Sequence, residues 1–162
     1  MLKKLEDIIK NNDVIIYFDM DGTCVRYSAG EKSAIKSNKP NFYLEKEPVK
    51  TVLKIMKKLN RKKNVEIGII SNCHYAEQKR DKLTWLKRNA PFIKDENIHI
   101  IELSKLTYTK EEKPYLKAKM IEKLKENDNR RLILIEDDFD IILATFNYLG
   151  NDVAFHVSNI LK

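Results

Sequence analysis

Only two cysteines, Cys24 and Cys73, occur in the 162 residues. Two thiols cannot build the disulfide framework that staples small secreted domains, and nothing else in the chain suggests secretion. Long apolar runs are missing as well: none approaches the roughly 20 residues that cross a bilayer, so no membrane partner is expected. The opening segment MLKKLEDIIKNN is not a signal peptide. Glu6 and Asp7 interrupt it, and Leu2, Leu5, Ile8 and Ile9 follow helical spacing. There are no repeats, low-complexity tracts or interdomain linkers. The expectation is a cytoplasmic protein of one domain, residues 1–162, long enough to bury a substantial core.

Negative charge is under-represented. Lysine and arginine number 31 against 24 acids, for a net charge of +7. An anionic partner fits that balance, whether a nucleotide, a nucleic acid or another small phosphorylated substrate. Lysine greatly outnumbers arginine, and asparagine and isoleucine are abundant. A biased genome produces the same pattern, so charge alone assigns no partner.

Five apolar segments have strand character: Val14–Phe18, Val65–Ile70, Ile98–Ile101, Leu132–Ile135 and Val153–Val157. Helical patterns alternate with them. Pro48 opens one at its first position, with Val49, Val52, Leu53, Met56 and Leu59 as the buried stripe. A second spans about Tyr75 to Asn89, with Leu83 and Leu86 inward. A third starts near Pro114 and buries Leu116, Met120, Ile121 and Leu124. A fourth runs from about Phe139 to Leu149 and stops at Gly150. This alternation predicts an α/β fold, a Rossmann-like three-layer sandwich around a five-stranded, mostly parallel sheet. The polar segment after the first strand breaks the rhythm and predicts a small flap or cap insert at about residues 24–47.

Parallel sheets collect ligands at the carboxyl ends of their strands. After the first strand come Asp19, Asp21, Gly22 and Thr23. After the second come Ser71 and Asn72, and after the fourth Glu136, Asp137 and Asp138. Lys113 and Pro114 open the helix before that fourth strand. Carboxylates gathered in one place repel one another unless a cation sits among them. Oxygen ligands of this kind favour Mg²⁺, which commonly shares its shell with a phosphate. Phosphoryl transfer is the chemistry such a cluster suits.

With these motifs in order, the chain resembles the haloacid dehalogenase-like phosphohydrolase superfamily. Asp19-Met20-Asp21-Gly22-Thr23 matches its DxDGT motif, Ser71 its second motif, Lys113 or Lys117 its third, and Asp137-Asp138 its fourth. The short insert resembles the small-cap branch. SN…KLTWLKRNAPF followed by LIEDD…LGNDVAFHV is similar to 5′(3′)-deoxyribonucleotidase-like proteins and to the phosphatase domain that trims 3′-phosphates from polynucleotide ends. Cys24 departs from the bulky aliphatic residue usual after DxDGT. The resemblance implies an aspartyl-phosphate on Asp19, with Asp21 as general acid and base. It implies Mg²⁺ on Asp19, Asp137 and the Asp21 carbonyl, and phosphoryl contacts from Ser71 and Lys113, with Gly22, Thr23 and Asn72 beside the substrate. Asp138 would orient the metal's water or the lysine. The resemblance points to a phosphatase, with a nucleotide as the favoured substrate. Polynucleotide 3′ ends and phosphoproteins are the alternatives, and a catalytically silent nucleotide- or nucleic-acid-binding module is the reading from another class.

Simpler roles compete at several positions. Asp137 and Asp138 could cap the helix at Phe139, and Ser71 could cap the helix that follows it. Tyr27, Phe42, Tyr43, His74 and Tyr75 could stack on a ring or only pack. Trp85, His99 and His156 have a structural pattern, and Cys24 and Cys73 that of small buried side chains.

Overall fold

The computed structural model describes residues 1–27 and 41–161; the predicted flap insert between them, residues 28–40, lies outside the described residues. Five strands form one parallel sheet: β1 (Val14–Phe18), β2 (Val65–Cys73), β3 (Ile98–Glu102), β4 (Arg131–Glu136) and β5 (Ala154–His156), in the order β3-β2-β1-β4-β5. Every pairing is parallel. Helices α1 (Lys3–Asn11), α2 (Lys50–Leu59), α3 (Ala76–Asn89), α4 (Leu116–Lys125) and α5 (Phe139–Leu149) complete the described framework.

The alternation along β1 sorts these helices into two layers. Val14, Ile16 and Phe18 join a core with Leu5 and Ile9 of α1, Val52 and Met56 of α2, and Trp85 and Leu86 of α3. Ile15 and Tyr17 face the other way, with Ile121 of α4, and Leu116, Met120 and Ile141 pack against that second core. All five β1 residues are buried, as expected for a central strand covered on both faces. Each fully buried aliphatic side chain contributes about 1.5–3 kcal/mol relative to exposure, so this strand is the sheet's main anchor. The chain leaves β1 for β2 on one side and returns to β4 on the other. The resulting switch point lies at the carboxyl ends of β1 and β4.

Some boundaries differ from the sequence-based expectation. Pro48 does not start a helix. It forms an isolated antiparallel bridge with Val25, and α2 begins at Lys50. β2 continues through Ser71 and Asn72 to Cys73, because β3 pairs with it over that stretch. Ser71 therefore lies inside a strand and cannot cap α3, which begins at Ala76. The turn Lys113–Tyr115 is a separate 3-10 helix leading into α4.

At the amino end of the sheet Glu66 gathers three donors. Lys94 Nζ lies 2.6 Å away, Asn97 Nδ2 3.0 Å and Arg130 Nη1 3.0 Å. Hydrogen bonds from Lys94 and then Asn97 hold its carboxyl down at about 2, from an ordinary value of 4.5. A depressed carboxyl stabilises the fold above its unfolded value and loses that contribution as pH falls toward its folded value. Glu66→Gln should lower the melting temperature near neutral pH by about 2–4 °C, equivalent to about 1 kcal/mol for a solvent-screened network. The gap between wild type and variant should narrow in melts followed by circular dichroism from about pH 5 to about pH 3; a constant gap would assign the loss to packing.

Candidate functional site

Asp19 and Asp21 emerge where β1 ends. The Asp19 amide extends the ladder by donating to the Ile135 carbonyl of β4 at 2.9 Å. The chain then folds on itself: the amides of Thr23, Cys24 and Val25 all donate to the Met20 carbonyl, and Gly22 N donates to Val25 O. Gly22 has φ +79°, and a Cβ there would lie 2.0 Å from Asp137 Oδ2. Glycine is required twice, for its left-handed backbone and for the room that Asp137 occupies. Thr23 is fully buried beneath the turn, with its hydroxyl 3.5 Å from Asp137 Oδ1.

Two buried lysines divide the acids between them. Lys117, in the first turn of α4, donates to Asp19 Oδ1 at 2.6 Å and to Glu136 Oε2 at 2.5 Å. Glu136 Oε1 accepts the amides of Asp137 and Asp138. Burial alone would pull the Lys117 ammonium down, but Asp19 and Glu136 outweigh it and hold the pKa above the ordinary lysine value. Burial, then Asp19, pushes the Glu136 carboxyl up. The same two causes raise Asp137. On the other flank Lys82 of α3, 0% exposed, donates to Asp21 Oδ2 at 2.6 Å, Ser71 Oγ at 2.9 Å and the Asn72 carbonyl at 2.7 Å. Its ammonium also sits 4.6 Å from the centre of the Tyr43 ring, a cation–π contact. The Tyr43 hydroxyl donates to Asp21 Oδ2 at 3.4 Å.

These side chains surround a cavity of about 380 Å³. Asp19, Asp21, Asn72, Lys113, Lys117, Glu136, Asp137 and Asp138 all contribute to its wall. Ser71 is not among the lining side chains. It is wholly buried, with its oxygen accepting from Lys82. Gly22 and Thr23 likewise shape the floor under Asp137 and do not line the space. Lys113 reaches the rim but makes no ion pair among the described residues. The lysine on the acids is Lys117, which corrects the choice of Lys113. Lys117 shares a helical face with buried Ile121 four residues on, whereas Lys113 sits exposed in the 3-10 turn outside α4. Asp138 serves as the N-cap of α5, its Oδ1 accepting from Asp140 N at 2.9 Å, and it also lines the cavity.

Lys82 opens the KLTWLKRNAPF pattern, but sequence reasoning gave it no role at the site. Its signal was present: Gln78, Lys82 and Trp85 recur at helical spacing on the buried stripe of α3. Trp85 donates from Nε1 to the Lys46 carbonyl at 2.8 Å and is structural, as its pattern suggested. Cys24 and Cys73 are buried, Cys24 lying 3.6 Å from the Met56 sulfur. Burial raises both thiols, so neither is primed as a nucleophile.

The residues present fit a divalent cation. Oxygens of Asp19, Glu136 and Asp137 lie within 4.8 Å of one another. Three carboxylates against the one Lys117 ammonium leave two uncompensated negative charges if all are ionised. Glu136 is already engaged on both oxygens, which leaves Asp19 and Asp137 as the donors open to an ion. Two buried oxygens on cavity residues, Asp21 Oδ1 and Asn72 Oδ1, have no partner among the described residues. Buried acceptors are normally satisfied, so both point to a ligand or its water.

A model of the family described as polynucleotide kinase 3 phosphatase matches residues 14–153. Among solved structures, a protein of Burkholderia xenovorans LB400 described as haloacid dehalogenase-like superposes with a TM-score of 0.56 at 12% identity, over 90% of this chain and 81% of that one. The HAD domain of effector protein Lem4 from Legionella pneumophila gives a TM-score of 0.51 at 16% identity, over 88% of this chain and 85% of that one. Its inactive mutant gives 0.55 at 16% identity, over 90% and 84%. At these identities the likeness is one of fold. No curated protein matches the chain.

Removing one partner from a buried ionic cluster costs about 3–5 kcal/mol. Lys117→Met should therefore lower the urea midpoint strongly, since Asp19 and Glu136 then face each other uncompensated. Adding Glu136→Gln to that variant should recover part of the loss, while Lys113→Ala should leave the midpoint in place. Equal losses at Lys113 and Lys117 would contradict the assignment.

Proposed function

This chain belongs to the polynucleotide kinase 3 phosphatase family, and from that premise we propose that it is a Mg²⁺-dependent phosphatase acting on the 3′-phosphate of polynucleotide ends through a covalent intermediate on Asp19. The fold is that of the haloacid dehalogenase-like hydrolases. The observation that carries the reading is the placement of Lys117 between Asp19 and Glu136, with Asp137 alongside. It leaves one carboxylate at the cavity wall oriented and charge-compensated on one oxygen only.

Lys117 engages Asp19 Oδ1, so Oδ2 is the oxygen left to attack phosphorus. Bond formation from that oxygen expels the ester oxygen in line, and Asp21 supplies the proton that the departing alcohol needs. Lys82 and Tyr43 both grip Asp21 Oδ2, which leaves the unpartnered Oδ1 to carry that proton. A water molecule then attacks phosphorus, the bond to Asp19 breaks, and Asp21 takes up the proton the water releases. Inorganic phosphate leaves and both aspartates are restored. Mg²⁺ on Asp19 and Asp137, with the Asp21 carbonyl that the family resemblance adds, would neutralise the repulsion between carboxylate and phosphate. Lys113 at the rim faces the incoming anion.

The family match and the charge of +7 support the polynucleotide over the mononucleotide that the deoxyribonucleotidase resemblance favoured. A mononucleotide is the second reading, supported by a cavity of about 380 Å³ with Tyr27 on its wall.

The test is a substrate panel with Mg²⁺: 3′-phosphorylated oligonucleotides, 3′- and 5′-mononucleotides, sugar phosphates and an aryl phosphate. Hydrolysis is expected to be fastest on the oligonucleotides, to stop with a chelator and to return with Mg²⁺. Asp19→Asn should abolish turnover on every substrate. Asp21→Asn should slow release from the covalent intermediate, so that labelled phosphate remains on the protein. A wild-type protein inert on the whole panel would favour a binding module.

A further inference from the structure

A second cavity, of about 440 Å³, neighbours the catalytic one. Leu106, Leu116 and Met120 give it an apolar floor, and Lys79, Lys105, Lys119 and Lys123 stand around it. Leu106 remains 44% exposed. Two short turns join this groove to the catalytic cavity. In the first, Leu103 lines the catalytic side while Lys105 and Leu106 line the groove; in the second, Lys113 lines the catalytic side and Leu116 the groove. The two cavities thus lie on either side of these turns.

The four lysines come from separate parts of the fold: Lys79 from α3, Lys105 from the turn after β3, and Lys119 and Lys123 from α4. Two acids answer them in part. Glu102 pairs with Lys105 at 3.0 Å, and Glu112 lies 3.8 Å from Lys119. Lys79 and Lys123 have no ion pair among the described residues. Lys119 and Lys123 are four apart on one helix face, where like charges repel. The surplus positive charge is left for a partner.

We propose that this groove carries the sugar-phosphate backbone of a polynucleotide strand whose 3′-phosphorylated end occupies the catalytic cavity. The proposal rests on the phosphatase reading above and names how that site holds the rest of its substrate. Lysine meets a repeating phosphate as a point charge on a flexible stem and lacks the fork with which arginine matches a carboxylate. The aliphatic floor covers the faces of sugars and bases, which need no polar partner.

The experiment uses the full chain and a 3′-phosphorylated thymidine oligonucleotide of about ten nucleotides, within the usual span of a single-strand site. Lys119→Ala/Lys123→Ala should raise KM for this substrate about tenfold near 0.1 M salt, and the salt dependence of log KM should weaken by about 0.7 per lysine removed. Hydrolysis of the aryl phosphate should be unchanged, as neither residue touches the catalytic cavity. Lys123→Glu, with circular dichroism to check α4, should act in the same direction. An unaltered oligonucleotide KM and salt slope in both variants overturns the proposal. So does preferential binding of an acidic polypeptide such as polyglutamate, lost in the same variants. Binding of the 3′-hydroxyl oligonucleotide, followed by fluorescence anisotropy, separates the two ideas. If the wild type hydrolyses nothing yet binds this strand through Lys119 and Lys123, the groove stands and the phosphatase reading fails.

Discussion

The ammonium of Lys117, closed off from water between Asp19 and Glu136, is the interaction on which the site depends. A lone charge in that position would be untenable, so the helix carrying it and the two strands carrying its partners must arrive together. β1 delivers Asp19, β4 delivers Glu136, and α4 brings the lysine across the second core through Ile121. Parallel pairing of β1 with β4 fixes the two carboxylates side by side. Replacing the cluster by apolar side chains would cost the fold little, because buried ion pairs are poor stabilisers compared with packed hydrocarbon. Its presence beside an open cavity is better explained by what it does to Asp19 than by what it adds to stability.

The second lysine makes the two aspartates of the DxD segment unlike each other. Asp19 shares its lysine with another buried acid and faces a third, Asp137. Asp21 shares Lys82 with a serine hydroxyl and a carbonyl, both neutral, and receives Tyr43 as well. On the proposed reading, nucleophile and proton carrier thus come from one short turn, but each is oriented by a different helix. Gly22 makes the turn tight enough for Asp137 to pack against it. Shape and charge are coupled there, since anything larger than a hydrogen at that position displaces a carboxylate.

The strands were legible from sequence because their apolar runs are nearly continuous, as a sheet buried on both faces demands. The acids were legible because a carboxylate directly after such a run has few places to be. What the sequence concealed follows from the same physics. Ser71 looked like the end of a strand, since polarity rises there, yet β3 pairs with β2 two residues further and carries the serine into the interior. Lys82 carries no compositional mark in a helix rich in basic residues; only its phase relative to Gln78 and Trp85 sets it inward. Lys113 drew attention through its neighbouring proline, but a proline marks where a helix begins, not which residue faces the core. Lysines differ in role by helical phase, and composition hides phase.

Local and global charge oppose each other in this molecule. The chain as a whole is strongly basic, whereas the cavity wall holds Asp19, Asp21, Glu136, Asp137 and Asp138 against Lys113, Lys117 and the buried Lys82 behind it. Under the proposed function, a polyanion would be drawn to the surface and repelled at the point where its phosphate enters. On the proposed reading, a cation held by Asp19 and Asp137 would offset that opposition and make the cavity favourable to the phosphate. The lysine groove beside it would carry no such condition, because its acids among the described residues, Glu102 and Glu112, are each paired with one of its lysines, Lys105 and Lys119. If both proposals hold, binding of the strand and readiness of the catalytic cavity would be governed by separate charges, and affinity for the polymer would be tuned at α4 without disturbing the acids that act on its end.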